Sequence, residues 1–192
     1  MLDIEDLVPL FIDSVMWGTK HTIKDISQLA LKTCLDMINT AVELEDEDKS
    51  SLFFEKFYVR ILRDIIEVLV DPDRRNGFNF QSQVLSRMLQ IVQEGDIYTR
   101  LYDPKSVSNP LMSNVEFLQH YVFDLLCAEF PLLQKDQIDV LVMGMFEYSG
   151  DLQRFQNDIR DFLIDIRQVG EDTGFQRLKE EKSAEQELLG FV

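Results

Sequence analysis

Three amphipathic helix patterns follow one another between Asn114 and Gln168 with almost no linker. Nothing else in the sequence restricts the fold as much. In the third pattern, Leu152, Phe155, Ile159, Phe162, Leu163 and Ile166 recur at helical spacing and share one helix face. Pro131 closes the first pattern and Gly150 the second.

Upstream the pattern is also helical. Residues 4–19 read as one helix with Pro9 inside it, so a later start or a kink is expected there. Residues 23–42 read as a second helix. Its polar stripe is Asp25, Gln28, Lys32, Asp36 and Asn39, and the rest is largely apolar, including Ile26, Leu29, Ala30 and Cys34. The acidic stretch 43–50 reads as a solvated turn, with Ser50 or Ser51 capping a helix over 52–70. That helix keeps one narrow polar stripe, Lys56, Arg60, Arg63 and Glu67. A helix so apolar needs cover on two flanks, as in the middle of a stack.

The DPDRRNG segment at 71–77 is a turn, followed by a helix over 80–93. Its exposed stripe is Gln83, Arg87, Gln90 and Glu94, and Gly95 ends it. The loop 96–113 is long for a compact domain, so it is expected to be functional or ordered against a neighbour. The expected fold is all-α, with helix pairs over 4–42, 52–94 and 115–147 and a further helix over 152–169. These elements suit either a solenoid of helix pairs or a closed bundle.

Composition excludes several functions. The net charge of −16 disfavours nucleic acid and anionic membrane surfaces and permits a basic protein partner. No apolar run approaches the ~20 residues that span a bilayer, and the acidic start MLDIEDLVPL lacks the basic region of a secretory signal. Cys34 and Cys127 lie in apolar helix patterns and read as buried free thiols.

Catalytic signatures are wanting. Glu116, His120 and Asp124 form an exposed polar stripe, without the Glu-x-x-His spacing of a di-metal bundle. His21 reads as a cation beside Lys20 at the end of the first helix. Trp17, Met143, Met145 and Phe146 read as core, and Gly144 as a close helix contact. The expectation is a protein with no enzymatic activity, no cofactor and no metal.

The runs HYVFDLLCAEFP, VLVMGMF and LQRFQNDIRDFLIDI resemble the last HEAT repeat of the exportin 1 family, nuclear export receptors of the karyopherin class. The upstream run IDSVMWGTKHTIKDISQLAL resembles the same family, three repeats from its C-terminal end. The resemblance implies an α-solenoid of about three HEAT-type antiparallel pairs over 1–170 and an acidic C-terminal helix or tail over 171–192. It makes 23–42, 80–93 and 138–146 inner helices. Their stripes, namely Asp25, Gln28, Lys32 and Asp36 with Gln83, Arg87, Gln90 and Glu94, would face partners on the concave side. Phe175, Leu178, Glu181 and Leu188 would belong to a regulatory terminal helix.

The implied partners are the Ran GTPase, cargo with leucine-rich export signals, the receptor's own N-terminal repeats and, as further candidates, nucleoporins. Direct nucleic-acid binding and membrane insertion are not implied. The implied location is nucleus and cytoplasm, with shuttling through the nuclear pore. The family's export-signal groove lies in central repeats, so a C-terminal fragment that binds no export signal alone is expected. The alternative is a non-catalytic all-α scaffold or adaptor.

Overall fold

Helix formation follows the apolar spacing closely. The computed structural model describes residues 4–71 and 77–166, with side chains from residue 7 onward. It contains α1 (Ile4–Thr19), α2 (Lys24–Val42), α3 (Glu47–Val70), α4 (Phe78–Gln93), α5 (Asn114–Glu129) and α6 (Lys135–Glu147). A further helix, α7, begins at 152 and is helical through 166. No strand occurs among the described residues.

Helix α1 packs against α2, α3 against α4 and α5 against α6 as helix hairpins. Helices α2, α4 and α6 pack in succession and form one row. The other row begins with α1 against α3. Tyr121 of α5 continues it, lying within the field of Arg63, Glu67 and Asp64 of α3. Two rows of antiparallel pairs are the arrangement of a HEAT-type α-solenoid, with α7 added at one end.

The core runs through the stack without a break. Ile12, Leu31, Ile61, Leu62, Ile65, Leu85 and Leu89 are fully buried, and Phe155 and Ile159 anchor α7 to the same cluster. Tyr58 is buried in α3 and donates its hydroxyl to the Met88 carbonyl at 2.7 Å. Burial pushes that phenol well above its ordinary range.

Helix ends are satisfied locally. Gly95 adopts φ +79, and a Schellman pair closes α4, with Asp96 N–H to Ile91 O at 2.9 Å and Gly95 N–H to Val92 O at 3.3 Å. Ser113 and Glu116 make a reciprocal capping box on α5, at 3.1 and 2.7 Å. The exposed end of α6 is held from α4, where Gln93 donates to Phe146 O at 3.2 Å. Ser86 donates to Ser149 O at 2.6 Å in the turn that follows.

Several details differ from expectation. Helix α3 starts at Glu47, so the acidic stretch is its first turn and only partly a loop. Asp46 is its cap, accepting from Lys49 N–H at 3.2 Å, and Glu47 and Asp48 sit at the positive end of the dipole. Ser50 is buried inside α3, so neither serine caps it. Helix α1 begins at Ile4 and runs through Pro9. His21 lies beyond that helix, in the turn, where its Nδ1 accepts from Ile23 N–H at 3.0 Å.

Trp17 is 67% exposed and touches only the His21 ring edge-on among aromatics, so it is not core. Met143 and Leu29 are exposed as well, and Cys127 is half-buried. The loop 96–113 is ordered, as its length suggested. Ile97, Leu101 and Tyr102 are buried, and Asn114 bridges Leu101 N–H at 3.0 Å and Thr99 O at 2.8 Å.

Two predictions follow from this packing. Gly18 lets α1 and α2 approach so closely that a Cβ there would stand 2.8 Å from Ala30 Cβ. The substitution Gly18→Val should cost about 1–3 kcal/mol in denaturant unfolding, and adding Ala30→Gly should recover part of it. Lys20, just after α1, ties that helix to α3, its neighbour in the same row, at 2.8 Å from Asp64 and 3.2 Å from Glu67. Burial lowers its pKa, but the bonds and charges of Asp64 and Glu67 outweigh that and raise it above 10.5. A raised folded pKa gives stability that is present below 10.5 and lost as pH climbs through the folded value. The stability gap between the wild type and Lys20→Gln should therefore hold from neutral pH up to 10.5 and narrow above it.

Candidate functional site

The row of second helices brings two polar stripes side by side. On α2, Asp25, Gln28, Lys32 and Asp36 are spaced by three or four residues and share a face. Asp25, Lys32 and Asp36 are exposed, and Gln28 is half-buried. On α4, Gln83, Arg87 and Gln90 are half-buried and Glu94 is exposed. The remainder of α4 is buried nearly all round, so these side chains occupy its one strip open to solvent.

Arg87 organises that strip. Its Nε donates to Asn39 Oδ1 of α2 at 2.9 Å, tying the two stripes together. One of its terminal nitrogens donates to Gln90 Oε1 at 3.2 Å and lies 3.5 Å from Glu94 Oε2. Gln90 in turn donates to Glu94 Oε1 at 2.8 Å. The structure thus assembles Arg87, Gln90 and Glu94 with Asn39 into one network. Gln83 lies one turn away on the same face, and Asp25, Gln28, Lys32 and Asp36 make no bond to α4. A fixed guanidinium with carboxylate and amide neighbours can bind a polar protein surface.

Other ionisable groups lead to structural roles. No three of His, Cys, Asp and Glu stand close enough to hold a metal ion among the described residues. Glu116, His120 and Asp124 are exposed, as the spacing implied. His120 Nδ1 donates to the Glu116 carbonyl at 2.8 Å, and the Glu116 carboxylate serves the Ser113 cap, which holds it below its ordinary range. Burial pushes the Cys34 thiol up to about 12, so it carries no thiolate at neutral pH. Phe175, Leu178, Glu181 and Leu188 lie outside the described residues.

Sequence reasoning missed a second charged seam, between α1 and α3. Asp64 is buried in α3 and paired with Lys20, Arg60 reaches Asp13 at 2.6 Å, and Arg63 reaches Glu67 at 3.6 Å. Its signal was Asp64 itself, a carboxylate at an apolar position one turn before Val68.

Comparison with known proteins agrees with the architecture. The protein-family model described as CRM1 C terminal matches residues 4–171. Exportin-1 of Schizosaccharomyces pombe is 36% identical over 179 residues, which cover 93% of this chain and 16% of that protein. Protein EXPORTIN 1B of Arabidopsis thaliana is 29% identical over 178 residues, with 93% and 16% covered. Exportin-1 of Drosophila melanogaster is 30% identical over 176 residues, with 91% and 16% covered. The chain therefore spans about one sixth of the length of these relatives. A stack of antiparallel helix pairs matched over nearly all its length by one family model leaves a single assignment: the chain belongs to the CRM1 C-terminal family, the C-terminal region of exportin-1 proteins.

Proposed function

We propose that this chain forms the C-terminal end of a nuclear export receptor that carries leucine-rich export-signal cargo out of the nucleus with Ran-GTP. The observation that carries the reading is the family match over residues 4–171, at a share of the relatives that leaves most of a receptor outside this chain. The part played here is mechanical and not catalytic. The helix pairs close the receptor's ring by meeting its N-terminal repeats, and the terminal segment with Phe175, Leu178, Glu181 and Leu188 tunes cargo affinity.

The packing supports that role. Leu7, Leu10, Phe11 and Trp17 of α1 and Leu29 of α2 leave an apolar flank open at the α1–α2 end. An uncovered flank of that kind suits a preceding repeat, because each solenoid unit buries its face against its neighbour. The stripes on α2 and α4 supply polar contacts on the receptor's inner side. The Arg87 network holds Gln90 and Glu94 ready for contact at little cost in side-chain entropy. Shuttling between nucleus and cytoplasm, with nucleoporins as further partners, belongs to the same reading.

A chimera tests it. The corresponding region of the Schizosaccharomyces pombe relative is replaced by this chain, and anisotropy follows a labelled leucine-rich export-signal peptide with and without Ran-GTP. The expected result is tight binding only with Ran-GTP. Removing the residues after Glu171 should strengthen Ran-free binding by about 5-fold or more. A chimera that melts cooperatively yet binds the peptide no better with Ran-GTP than without would overturn the reading.

A further inference from the structure

Between α6 and α7 lies an open groove of about 560 Å³. The two helices meet at one end of it, where a Cβ on Gly144 would stand 3.4 Å from Asp158 Oδ2. Towards the other end the groove is lined by Asp136 of α6 and Asp165 of α7. Its apolar lining includes Leu141, Phe162 and Val140, and Val140 is 73% exposed. Four aspartates border this surface. Asp158, Asp161 and Asp165 follow one another at spacings of three and four residues on α7, so they share a helix face, and Asp136 stands on α6. No ion pair joins any of them to a cation among the described residues.

We propose that this groove is a docking site for a basic amphipathic helix of a partner protein. That helix sets an apolar stripe on Val140 and Phe162 and flanking lysines or arginines against the aspartates. The shape fits a helix laid in a groove. From Asp158 to Asp165 the wall is about 10 Å long, or two helical turns. Apolar contact supplies affinity, while the carboxylates steer and orient a cationic partner.

Charge selects this occupant over two others. A second copy of the chain brings a net charge of −16. The chain's own residues 167–192 carry six acidic side chains against four basic ones. Both would meet repulsion along the aspartate wall. The site lies at the far end of the chain from the open α1 flank and involves none of the Arg87 network, so it stands or falls apart from the export reading.

The test uses the full chain and a fluorescent peptide of roughly 14 residues made of leucine and lysine, with leucines at i, i+3, i+4 and i+7. A shuffled peptide of the same composition has no apolar face. The variants are D158N/D161N/D165N, V140D, and a control, E43Q/E45Q/D48N, which removes equal charge from exposed positions remote from the groove. Thermal melts establish that each is folded. The patterned peptide should bind with an affinity that falls as salt rises. The groove triple variant and V140D should each weaken it by about tenfold or more, and the control by less than about twofold.

Equal losses from both triple variants, or equal binding of the shuffled peptide, would show attraction to net charge alone and overturn the proposal. Failure of the patterned peptide to bind the full chain would overturn it too, as expected if residues 167–192 already fill the groove. A dimer in sedimentation that V140D converts to monomer would assign the groove to a second copy and equally refute a partner helix.

Discussion

The stack depends on α4 being buried around almost its whole circumference. Gln81, Ser82, Val84, Leu85, Ser86, Met88, Leu89, Ile91 and Val92 are all buried on this one helix. Such a surface needs neighbours on several sides, and α4 contacts α2, α3, α5 and α6. Burial on this scale also forces polar atoms inside, where each must find a partner. Ser82 bonds back to Phe78 O at 2.7 Å and accepts from Gln156 of α7 at 2.8 Å. Ser86 reaches Ser149 O after α6, and Met88 O takes the Tyr58 hydroxyl. The bonds that satisfy α4 are therefore the bonds that fix α3, α6 and α7 around it. Registry between neighbouring pairs follows from polar satisfaction, while apolar burial supplies the driving force.

How much of this was legible in the sequence depends on the range of the interaction. Helices were legible because a period of 3.6 is written in consecutive residues, and Pro131 and Gly95 act on their own backbone. The α3 start was misplaced because acidic residues read as solvated while Asp46 capped a helix and Glu47 and Asp48 faced its dipole. The Ser113–Glu116 box follows a known spacing but was spent on the polar stripe instead. Exposure was harder. Trp17, Leu29 and Met143 sit at helical spacing with core residues, yet all three are exposed. Periodicity says which side chains share a face. Whether that face is covered depends on what stands beside it in the stack, and no local pattern records that.

The candidate stripe shows the same division. Spacing alone put Gln83, Arg87, Gln90 and Glu94 on one strip, and the fold left that strip open. The bond from Arg87 to Asn39 spans 48 residues and depends on α2 lying beside α4. It turns two separate stripes into one surface. The role of that surface came from resemblance and not from spacing, since an arginine among amides and carboxylates suits many protein contacts.

The two ends of the stack differ in a way that bears on what each can meet. At the α1–α2 end the exposed side chains include Leu10, Phe11, Trp17 and Leu29, which in water are costly to leave open. At the other end, α7 turns Gln153, Arg154, Asn157, Arg160, Asp161, Ile164 and Asp165 to solvent. Its buried face is small, with Phe155 and Ile159 at the centre. Arg154 stacks over the Tyr148 ring at 3.5 Å and Arg160 lies 5.2 Å over Phe78, so its two cations are drawn onto aromatic faces. Among the described residues, no ion pair joins those cations to the aspartates of the same helix. The α1–α2 end exposes an apolar flank, whereas the α6–α7 end sets exposed Val140 and Ile164 beside aspartates that have no ion-pair partner among the described residues, so the two ends differ in the charge they present. Apolar surface is common to both ends, and the aspartate wall is what distinguishes the second.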